Sequence, residues 1–529
     1  MNRFDFLGNR LIIFLTMFST GLASLLYEVV LLSIIVTIVG ATEISAAIVL
    51  ASFLLGLAVG ALIGGYIVKK DLPFVKILMI IELLIALFGF SFLSIVAKIA
   101  SAGISVNYIF WIIICSLIVP TTLMGMEIPI AVKILEQLGS KSATGFVYFA
   151  DTLGGVIGAL FSGLLFIPIF GFHGAMYFGG FLNLITFGLA TRIGKKRNLI
   201  FLASIFVVFI VGIGFLFASK PFLDRIKLDF LDSFYSTGSL FAETYYTEVV
   251  ESVISPFQHI VILKSPYYGY QLLLDGQIQI SDKESIRYHE YLVLPAMAAH
   301  PNPESALVIG GGDGGALYQL LKFNLTRIDH VDLDAQVVEV SRKHLKNVHR
   351  GSLDNKRVNR IIMDGRKYLK QMPSETYDII ILDLPDPKKL ELVPLYTKEF
   401  YDEARRVLTK DGFMATQADS PYYYLEGFTS IYKTMKSSMP QTYPYLFPGS
   451  ASGSIGYVIS GKSLDPKIAR NKKVDGSWYS TSDNDFLFRF PKFLQNYFSN
   501  NSVQVSTDEN PMVHLYMQSN YYFKGIADG

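Results

Sequence analysis

The feature that most constrains this chain is its apolar N-terminal part. Hydrophobic residues make up 51% of the 529-residue sequence, and they concentrate before residue 220. A helix needs ~20 consecutive apolar residues to cross a bilayer. Seven stretches meet that length, near residues 10–38, 44–68, 74–99, 106–132, 145–170, 173–192 and 198–219. The sequence therefore predicts an all-α transmembrane bundle of about seven spans over residues 1–219, in a multi-pass protein of the cell membrane.

Small residues recur every four positions within two of these stretches. They are Gly56, Gly60 and Gly64 in the second stretch, and Gly154 and Gly158 in the fifth. Small residues at this spacing let two helices approach closely in lipid. We therefore expect the spans to pack into one bundle instead of acting as separate tethers.

Four acidic residues interrupt the apolar part: Glu28, Glu82, Glu127 and Asp151. A carboxylate is expensive in hydrocarbon unless it faces a polar interior. Either these acids line a polar path through the bundle, or they form hydrogen bonds between helices and at helix ends. We favour hydrogen bonding for Glu82 and Glu127, and both explanations stay open for Glu28 and Asp151.

Basic residues indicate which flanks of the spans face the cytoplasm, but they leave two orientations of the soluble part. Lysines and arginines flank the first, second, fourth and sixth stretches, which places those flanks in the cytoplasm. Seven spans would then put everything after Lys220 outside the cell, and one re-entrant segment would put it inside. Both topologies remain open.

From Lys220 onward the composition is that of a globular protein. We predict a linker at 220–240, a small antiparallel β unit at 241–285, a Rossmann-like domain at 286–461 and a C-terminal extension at 462–529. Strands alternate with helices in the third of these segments, which is typical of βαβ units in a parallel sheet. The predicted strands of that sheet are Ala306–Ile309, Ile328–Leu333, Val358–Met363, Tyr377–Leu382 and Phe413–Gln417, with Tyr457–Ile459 as a late edge strand.

A glycine-rich turn, Gly310–Gly315, joins the strand Ala306–Ile309 to a helix that begins at Ala316. Such a turn presents backbone N–H groups and a helix N-terminus to a ligand, and the missing Cβ atoms permit close approach. An adenine nucleoside is the expected ligand. Asp313 lies inside the turn, and an acid there suits a cationic ligand better than a pyrophosphate.

Acidic residues follow the strands of this domain at one edge of the predicted sheet. They are Asp313, Asp332, Asp364, Asp383 and Asp386. Packing does not require four successive strands to end in acids, so we predict a binding site there. Asp313, Asp383 and Asp386 would form an anionic cleft in which at least one pKa is raised, giving a base for an amine. A magnesium or calcium site is the alternative.

With these motifs the sequence resembles a known family, the spermidine synthases or polyamine aminopropyltransferases, in a membrane-fused bacterial form. The resemblance runs from about Glu243 to Gly461. Its motifs include Phe257-Gln258, Leu274-Asp275-Gly276-Gln277, Tyr288-His289-Glu290, the Gly310–Gly315 turn, Val331-Asp332, Asp364-Gly365, Asp383-Leu384-Pro385-Asp386-Pro387 and Leu395-Tyr396-Thr397.

The resemblance implies a methyltransferase-type Rossmann fold and transfer of an aminopropyl group from decarboxylated S-adenosylmethionine to putrescine or a related amine. It implies no prosthetic group, no metal and a possible homodimer. Asp383 would accept the proton. The amine would be held by Tyr288, His289, Asp313 and Asp386, and the nucleoside by Gln258, Gly310, Gly312, Asp332, Asp364 and Gly365.

The chain departs from the family pattern around the amine pocket. Leu384-Pro385 replaces a small polar pair, and Lys388-Lys389-Leu390 replaces a glycine and proline pattern. These changes lie in the amine pocket more than in the nucleoside pocket, so they bear on the identity of the acceptor more than on the transfer. The alternatives are a methyltransferase that uses intact S-adenosylmethionine and a polyamine transporter or sensor without catalysis.

The remaining composition excludes two classes of protein. Cys115 is the single cysteine, so the chain has no disulfide framework and no cysteine metal site. The net charge is +2, without a basic stripe interleaved with aromatic residues, so no nucleic-acid partner is predicted. The expected partners are a polyamine and the lipid bilayer.

Overall fold

The computed structural model describes residues 3–39, 43–101, 106–193, 248–450, 453–499 and 502–517. The chain divides into two compact units. The first comprises Met1–Leu263 with Asp275–Gln277, and the second comprises Lys264–Leu274 with Ile278–Gly529. The predicted linker at 220–240 and the predicted seventh span at 198–219 lie outside the described residues.

The apolar part of the first unit consists, in the described ranges, of helices joined by short turns. Its helices are α1 (Arg3–Val39), α2 (Glu43–Ile67), α3 (Phe74–Ser101), α4 (Val106–Gln137), α5 (Ala143–Phe161) and α6 (Ile167–Ala190). A π-helical turn, Ser162–Phe166, joins α5 to α6. Five segments are long and apolar enough to cross a membrane, and the last of them, Ala143–Ala190, is 48 residues long. It contains two predicted spans, and its helical geometry is interrupted at Gly171, where φ is 67°.

The recurring glycines lie where two helix backbones meet. A Cβ atom on Gly60 of α2 would lie 2.0 Å from the carbonyl oxygen of Thr122 in α4. A Cβ atom on Gly154 of α5 would lie 2.0 Å from the carbonyl oxygen of Phe18 in α1. Any larger side chain would push these pairs of helices apart, so the predicted close packing is confirmed.

Glu82 joins three helices of the bundle through hydrogen bonds. Its carboxylate accepts from Thr20 Oγ1 of α1 and from Asn183 Nδ2 of α6, each at 2.8 Å. Tyr27 of α1 donates to Asn183 Oδ1 at 3.0 Å. The hydrogen-bonding explanation is therefore confirmed for Glu82, whose burial is offset by two donors.

The other three acids of the bundle differ in burial. Glu127 of α4 is fully buried, and neither of its carboxylate oxygens accepts a hydrogen bond from the side-chain and backbone donors of the described residues. Glu28 and Asp151 are half-buried. Of the four acids, Glu82 and Glu127 are thus the ones that the fold removes from solvent and lipid.

Two β-sheets follow the helices. The strands β1 (Glu248–Ile254), β2 (His259–Ser265), β3 (Gly269–Leu274) and β4 (Gln277–Ser281) form a four-stranded sheet in chain order. This sheet lies within the segment predicted to be the small β unit. A helix, α7 (Ser285–Ala299), leads from it into the Rossmann-like domain.

The Rossmann-like domain contains a seven-stranded sheet in the order β10-β11-β9-β8-β5-β6-β7. Its strands are β5 (Ser305–Gly310), β6 (Arg327–Asp332), β7 (Val358–Ile362), β8 (Tyr377–Asp383), β9 (Leu408–Gln417), β10 (Gln441–Ser450) and β11 (Gly453–Gly461). The strands β5 to β9 are parallel to one another, and β11 is antiparallel to both β9 and β10. From β5 the chain continues to β6 on one side and later to β8 on the other. Ligands bind at such a switch point in open α/β sheets.

Helices cover this sheet on both faces. They are α8 (Gly315–Leu321), α9 (Ala335–His344), α10 (Lys346–His349), α11 (Gly365–Gln371), α12 (Lys398–Val407) and α13 (Leu425–Ser438), with α14 (Asn484–Leu487) and α15 (Lys492–Phe498) in the C-terminal extension. In β8, Ile379 and Ile381 pack into one apolar cluster, and Ile380 and Leu382 pack into another. The alternation shows that both faces of the strand are buried, as expected for a parallel strand with an uninterrupted apolar sequence.

One predicted strand has a different position. Tyr457–Ile459 belongs to β11, which lies between β9 and β10, so it is not the edge strand that we expected. The edge strand is β10, which was not predicted because Pro444 and Pro448 interrupt its alternating pattern. Proline removes a donor from the ladder, and an edge strand tolerates that loss.

Glu290 anchors the segment that follows β11 to the core of the domain. Its carboxylate is fully buried and accepts hydrogen bonds from the backbone N–H groups of Ser477 at 3.0 Å, Trp478 at 2.7 Å and Tyr479 at 3.3 Å. Lys322 Nζ lies 3.6 Å from the same carboxylate. Charged hydrogen bonds of this kind are stronger than neutral ones, and removing one partner leaves buried donors unpaired.

We expect Glu290→Ala to lower the free energy of unfolding by about 2–4 kcal/mol, because three backbone donors lose their acceptor. Chemical unfolding of the purified full-length protein in detergent measures this. In a Trp111→Phe background Trp478 is the single tryptophan, and its emission should move to longer wavelength when the segment is released. Glu339→Ala removes an acid whose side chain is 64% exposed and should change neither quantity. An unshifted midpoint in Glu290→Ala would contradict the anchoring role.

Candidate active site

The strand ends of the parallel sheet bring the predicted acids to one edge. Gly310 at the end of β5 is opposite Asp383 at the end of β8 in the register of the two strands. Asp332 ends β6, and Asp364 follows β7. The predicted common edge is therefore confirmed for the acids that follow these four strands, counting Asp313 in the turn after β5.

The glycine turn fits closely against the end of β8. Gly310 and Gly311 have φ values of 77° and 65°, which non-glycine residues rarely adopt. A Cβ atom on Gly310 would lie 2.2 Å from the carbonyl oxygen of Asp383. The N–H of Gly311 donates to the same oxygen at 2.8 Å. These contacts fix the position of Asp383 relative to the turn.

His289 lies between two carboxylates of the cleft. Its Nε2 atom is 3.3 Å from Asp313 Oδ1 and 3.4 Å from Asp383 Oδ2. Its Nδ1 atom is 2.7 Å from the carbonyl oxygen of Ser285, one turn earlier in α7. The ring also packs against Gly315, where a Cβ atom would lie 2.1 Å from His289 Cε1. Three segments that are distant in sequence therefore meet at one imidazole.

The surroundings of His289 require the charged form of its ring. A carbonyl oxygen accepts from Nδ1–H, so a neutral ring would turn the lone pair of Nε2 toward two carboxylates. Burial acts to lower the pKa of His289, but the charges of Asp313 and Asp383 and their hydrogen bonds outweigh it and raise the pKa to about 10. The side chain is thus an imidazolium at neutral pH.

Tyr288 holds the other oxygen of the predicted catalytic acid. Its hydroxyl donates to Asp383 Oδ1 at 3.0 Å. Tyr457 of β11 donates from its hydroxyl to the backbone carbonyl of Tyr288 at 3.2 Å, and the two rings are 5.9 Å apart. Sequence reasoning did not find Tyr457, because β11 reaches the site only through the order of the strands.

Residues predicted to hold the nucleoside lie on the β6 and β7 side of the turn. Asp332 Oδ2 is 2.9 Å from the position that a Cβ atom on Gly312 would take, so a larger residue there would displace the Asp332 carboxylate. Burial raises the pKa of Asp332 to about 6, and the nearby charges of Asp334, Asp313 and Asp383 add to the effect. Asp364 accepts from the N–H of Lys367 at 2.7 Å and thereby caps α11.

Two more residues of the predicted nucleoside set are placed by the fold. Gly365 begins α11, and a Cβ atom there would lie 2.4 Å from Ile309 Cγ2, so glycine lets the helix pack on β5. Gln258 immediately precedes β2, in the first of the two compact units. Its predicted contact with the nucleoside stays a prediction.

Asp386 forms a separate cluster with residues that were not predicted. Its carboxylate accepts from Lys388 Nζ at 2.9 Å and from Gln417 Nε2 at 3.0 Å. Lys388 Nζ also donates to Asp419 at 3.1 Å and lies 4.3 Å from the centre of the Tyr424 ring. Lys388 was visible in the sequence as a departure from the family pattern, but its partners become evident only in the fold.

The raised pKa that we expected for at least one acid of the anionic cleft is not found at Asp313 or at Asp386. Burial acts to raise the pKa of Asp313, but the charge and hydrogen bond of His289 and the N–H of Gly315 hold it below its ordinary value. Burial acts in the same way on Asp386, and Lys388 and further hydrogen bonds outweigh it. The prediction counted carboxylates alone, whereas the fold supplies each with a cation.

The same residues could hold a metal ion. Ligand atoms of His289, Asp313 and Asp383 lie within 4.8 Å of one another, and this is the one such group within the described ranges. A ring nitrogen must lose its proton before it binds a metal. Since both carboxylates stabilise the proton on His289, a metal ion would have to displace it.

Two family models match the part of the chain that follows the apolar helices. Residues 285–472 match the spermine/spermidine synthase domain, and residues 248–282 match the spermidine synthase tetramerisation domain. The polyamine aminopropyltransferase of Saccharolobus solfataricus is 33% identical over 286 residues, which cover 51% of this chain and 94% of that protein. The chain belongs to the polyamine aminopropyltransferase family. The predicted family and enzyme class are therefore confirmed.

Other relatives extend the comparison. The polyamine aminopropyltransferase of Oceanobacillus iheyensis is 31% identical over 416 residues and covers 78% of each chain, so the similarity reaches into the apolar N-terminal part. A solved spermidine synthase in complex with the transition-state analogue AdoDATO is 29% identical with a TM-score of 0.45 and covers 48% of this chain and 94% of that one. Decarboxylated S-adenosylmethionine is the co-substrate of this family.

We expect the stability of the protein to fall as the pH rises through the raised pKa of His289. Its pKa is about 10 in the folded state and ordinarily 6.5, so the stabilisation is complete below pH 6.5 and is lost toward pH 10. Denaturant titrations of the full-length protein between these pH values measure the loss. His289→Gln should remove most of the slope. Parallel pH profiles for the two proteins would contradict the imidazolium.

Proposed function

We propose that this enzyme transfers the aminopropyl group of decarboxylated S-adenosylmethionine to putrescine or a related amine, and that Asp383 accepts the proton from the attacking nitrogen. The observation that carries this assignment is the contact set of Asp383. One oxygen accepts from Tyr288, and the other faces the His289 imidazolium. The carboxylate is thus oriented at the sheet edge, beside the glycine turn.

The chemistry of the transfer is a direct displacement. The amine nitrogen forms a bond to the carbon next to the sulfonium, the carbon–sulfur bond breaks, and methylthioadenosine leaves with the bonding pair. The ammonium form of the acceptor must first lose a proton, and Asp383 takes it. Alignment of the two substrates supplies much of the remaining rate.

The charge of the cleft suits a cationic donor. Asp313 and Asp383 carry two negative charges and His289 carries one positive charge, so the trio is net negative. A sulfonium and an ammonium are therefore attracted, and intact S-adenosylmethionine would bring an additional carboxylate into this field. This argument favours aminopropyl transfer over methyl transfer.

The remaining predicted residues divide between the two substrates. Gly310, Gly312, Asp332, Asp364 and Gly365 lie along the β5, β6 and β7 ends, and we assign them with Gln258 to the nucleoside. Tyr288, His289, Asp313 and Asp386 are assigned to the amines.

We further propose that the enzyme is a multi-pass protein of the cell membrane and a homo-oligomer. Five apolar helical segments support the membrane assignment. The match of residues 248–282 to a tetramerisation domain supports assembly, and the expected homodimer is one form of it.

We expect Asp383→Asn to reduce kcat by about 10²–10⁴, because the amide cannot take the proton. Formation of methylthioadenosine from decarboxylated donor and putrescine measures the rate. Asp402→Asn, on the exposed part of α12, is the matched control and should leave the rate unchanged. Release of S-adenosylhomocysteine from intact S-adenosylmethionine would point to methyl transfer instead, and an active Asp383→Asn would remove the proposed base.

We expect the protein to remain in the membrane pellet after washes with high salt and alkaline carbonate, and to be released by detergent. The physical reason is the apolar surface of the five helical segments, which lipid covers and water does not. Immunoblots of pellet and supernatant measure the partition. Release by carbonate alone would contradict the membrane assignment.

A further inference from the structure

The loop after Asp383 contains Lys388, whose ammonium group lies among the acids near the proposed amine site. Lys388 Nζ lies 2.9 Å from Asp386 Oδ2 and 3.1 Å from Asp419 Oδ2. The N–H of Lys388 also donates to the backbone carbonyl of Asp386 at 2.7 Å, so a tight turn folds the lysine back onto this acid. A primary ammonium thus bridges the two carboxylates.

The cluster around Lys388 is rigid and continuous with the catalytic acid. Asp386 follows Asp383 by three residues, and the carbonyl oxygens between them accept from Gln417 Nε2 at 2.8 Å and Tyr396 Oη at 2.9 Å. Gln417 donates to Asp386 as well. Hydrogen bonds from Gln417 of β9 and from Tyr396 therefore hold the segment between Asp383 and Asp386 in place.

The chemistry of this cluster is that of an ammonium site. It offers two carboxylates and the face of the Tyr424 ring, 4.3 Å from Lys388 Nζ, and each of these attracts an alkylammonium ion. The side chains of Lys388, Asp386 and Asp419 retain 21%, 24% and 19% exposure, so a soluble amine can reach them.

We propose that Lys388 is a specificity-determining residue, a tethered ammonium that competes with the second ammonium of a diamine acceptor for Asp386 and Asp419. This inference rests on the proposed aminopropyl transfer and goes beyond it. An acceptor with one amino group reaches Asp383 without entering this competition. A diamine must displace Lys388, and groups tethered through a short chain have effective concentrations in the millimolar range.

The competition changes the preference of the enzyme for diamine over monoamine acceptors, compared with a pocket whose carboxylates are unpaired. The wild-type enzyme should use putrescine and butylamine with similar kcat/KM, because the second ammonium of putrescine gains little from carboxylates that are already paired. Without the lysine ammonium, the two carboxylates should favour putrescine strongly and leave butylamine unaffected.

The test compares Lys388→Met, Lys388→Arg and Lys389→Met in the full-length enzyme, with methylthioadenosine formation as the readout. We expect Lys388→Met to lower KM for putrescine about tenfold and to leave butylamine within about twofold of wild type. Lys388→Arg keeps the charge and should resemble wild type. Lys389→Met removes the neighbouring charge of the same loop and should also resemble wild type.

The outcomes separate this inference from the proposed function. An enzyme that forms no methylthioadenosine with either amine, in any variant, contradicts aminopropyl transfer itself. Transfer with an unchanged ratio of putrescine to butylamine in Lys388→Met overturns the competition while leaving the function intact. An equal change in Lys389→Met would also overturn it, because the effect would then come from loop charge in general.

Discussion

The contact on which the catalytic edge depends is the ion pair of one imidazolium with two carboxylates. His289 receives its position from the carbonyl of Ser285 and from the space left by Gly315. Asp313 and Asp383 could not lie so close together without a cation, because two like charges in a buried place repel strongly. The imidazolium lets the β5 turn and the β8 end approach, and the proposed base is oriented by that approach.

The same principle is repeated at Asp386, where Lys388 supplies the cation. At this acid-rich sheet edge, His289 is thus the cation beside Asp313 and Asp383, and Lys388 is the cation beside Asp386. The local charge of the edge depends on which acids have such a cation. Burial raises the pKa of Asp419 to about 7, with a further contribution from Asp386. Each of the two clusters thus places one cation between two acids, His289 beside the glycine turn and Lys388 at Asp386.

Much of this architecture could be predicted from residue patterns. The apolar runs of β5 and β8 and the helical spacing between them indicated a parallel sheet, because such strands are buried on both faces. The glycines of the turn and the acids at the strand ends then followed from the geometry of parallel strands. The prediction was wrong for β10, where two prolines disrupt the pattern, and it placed β11 at the edge because strand order is not local information.

The sequence by itself determined the class of the fold, the sheet edge on which the site lies and the acids that follow its strands. The family resemblance added a chemical role for each of them. Only the tertiary structure decided which charges meet. The reach of Lys388 to Asp419 and of His289 to Asp313 joins residues far apart along the chain. A pKa depends on distances of a few ångströms, and no spacing in a sequence fixes those.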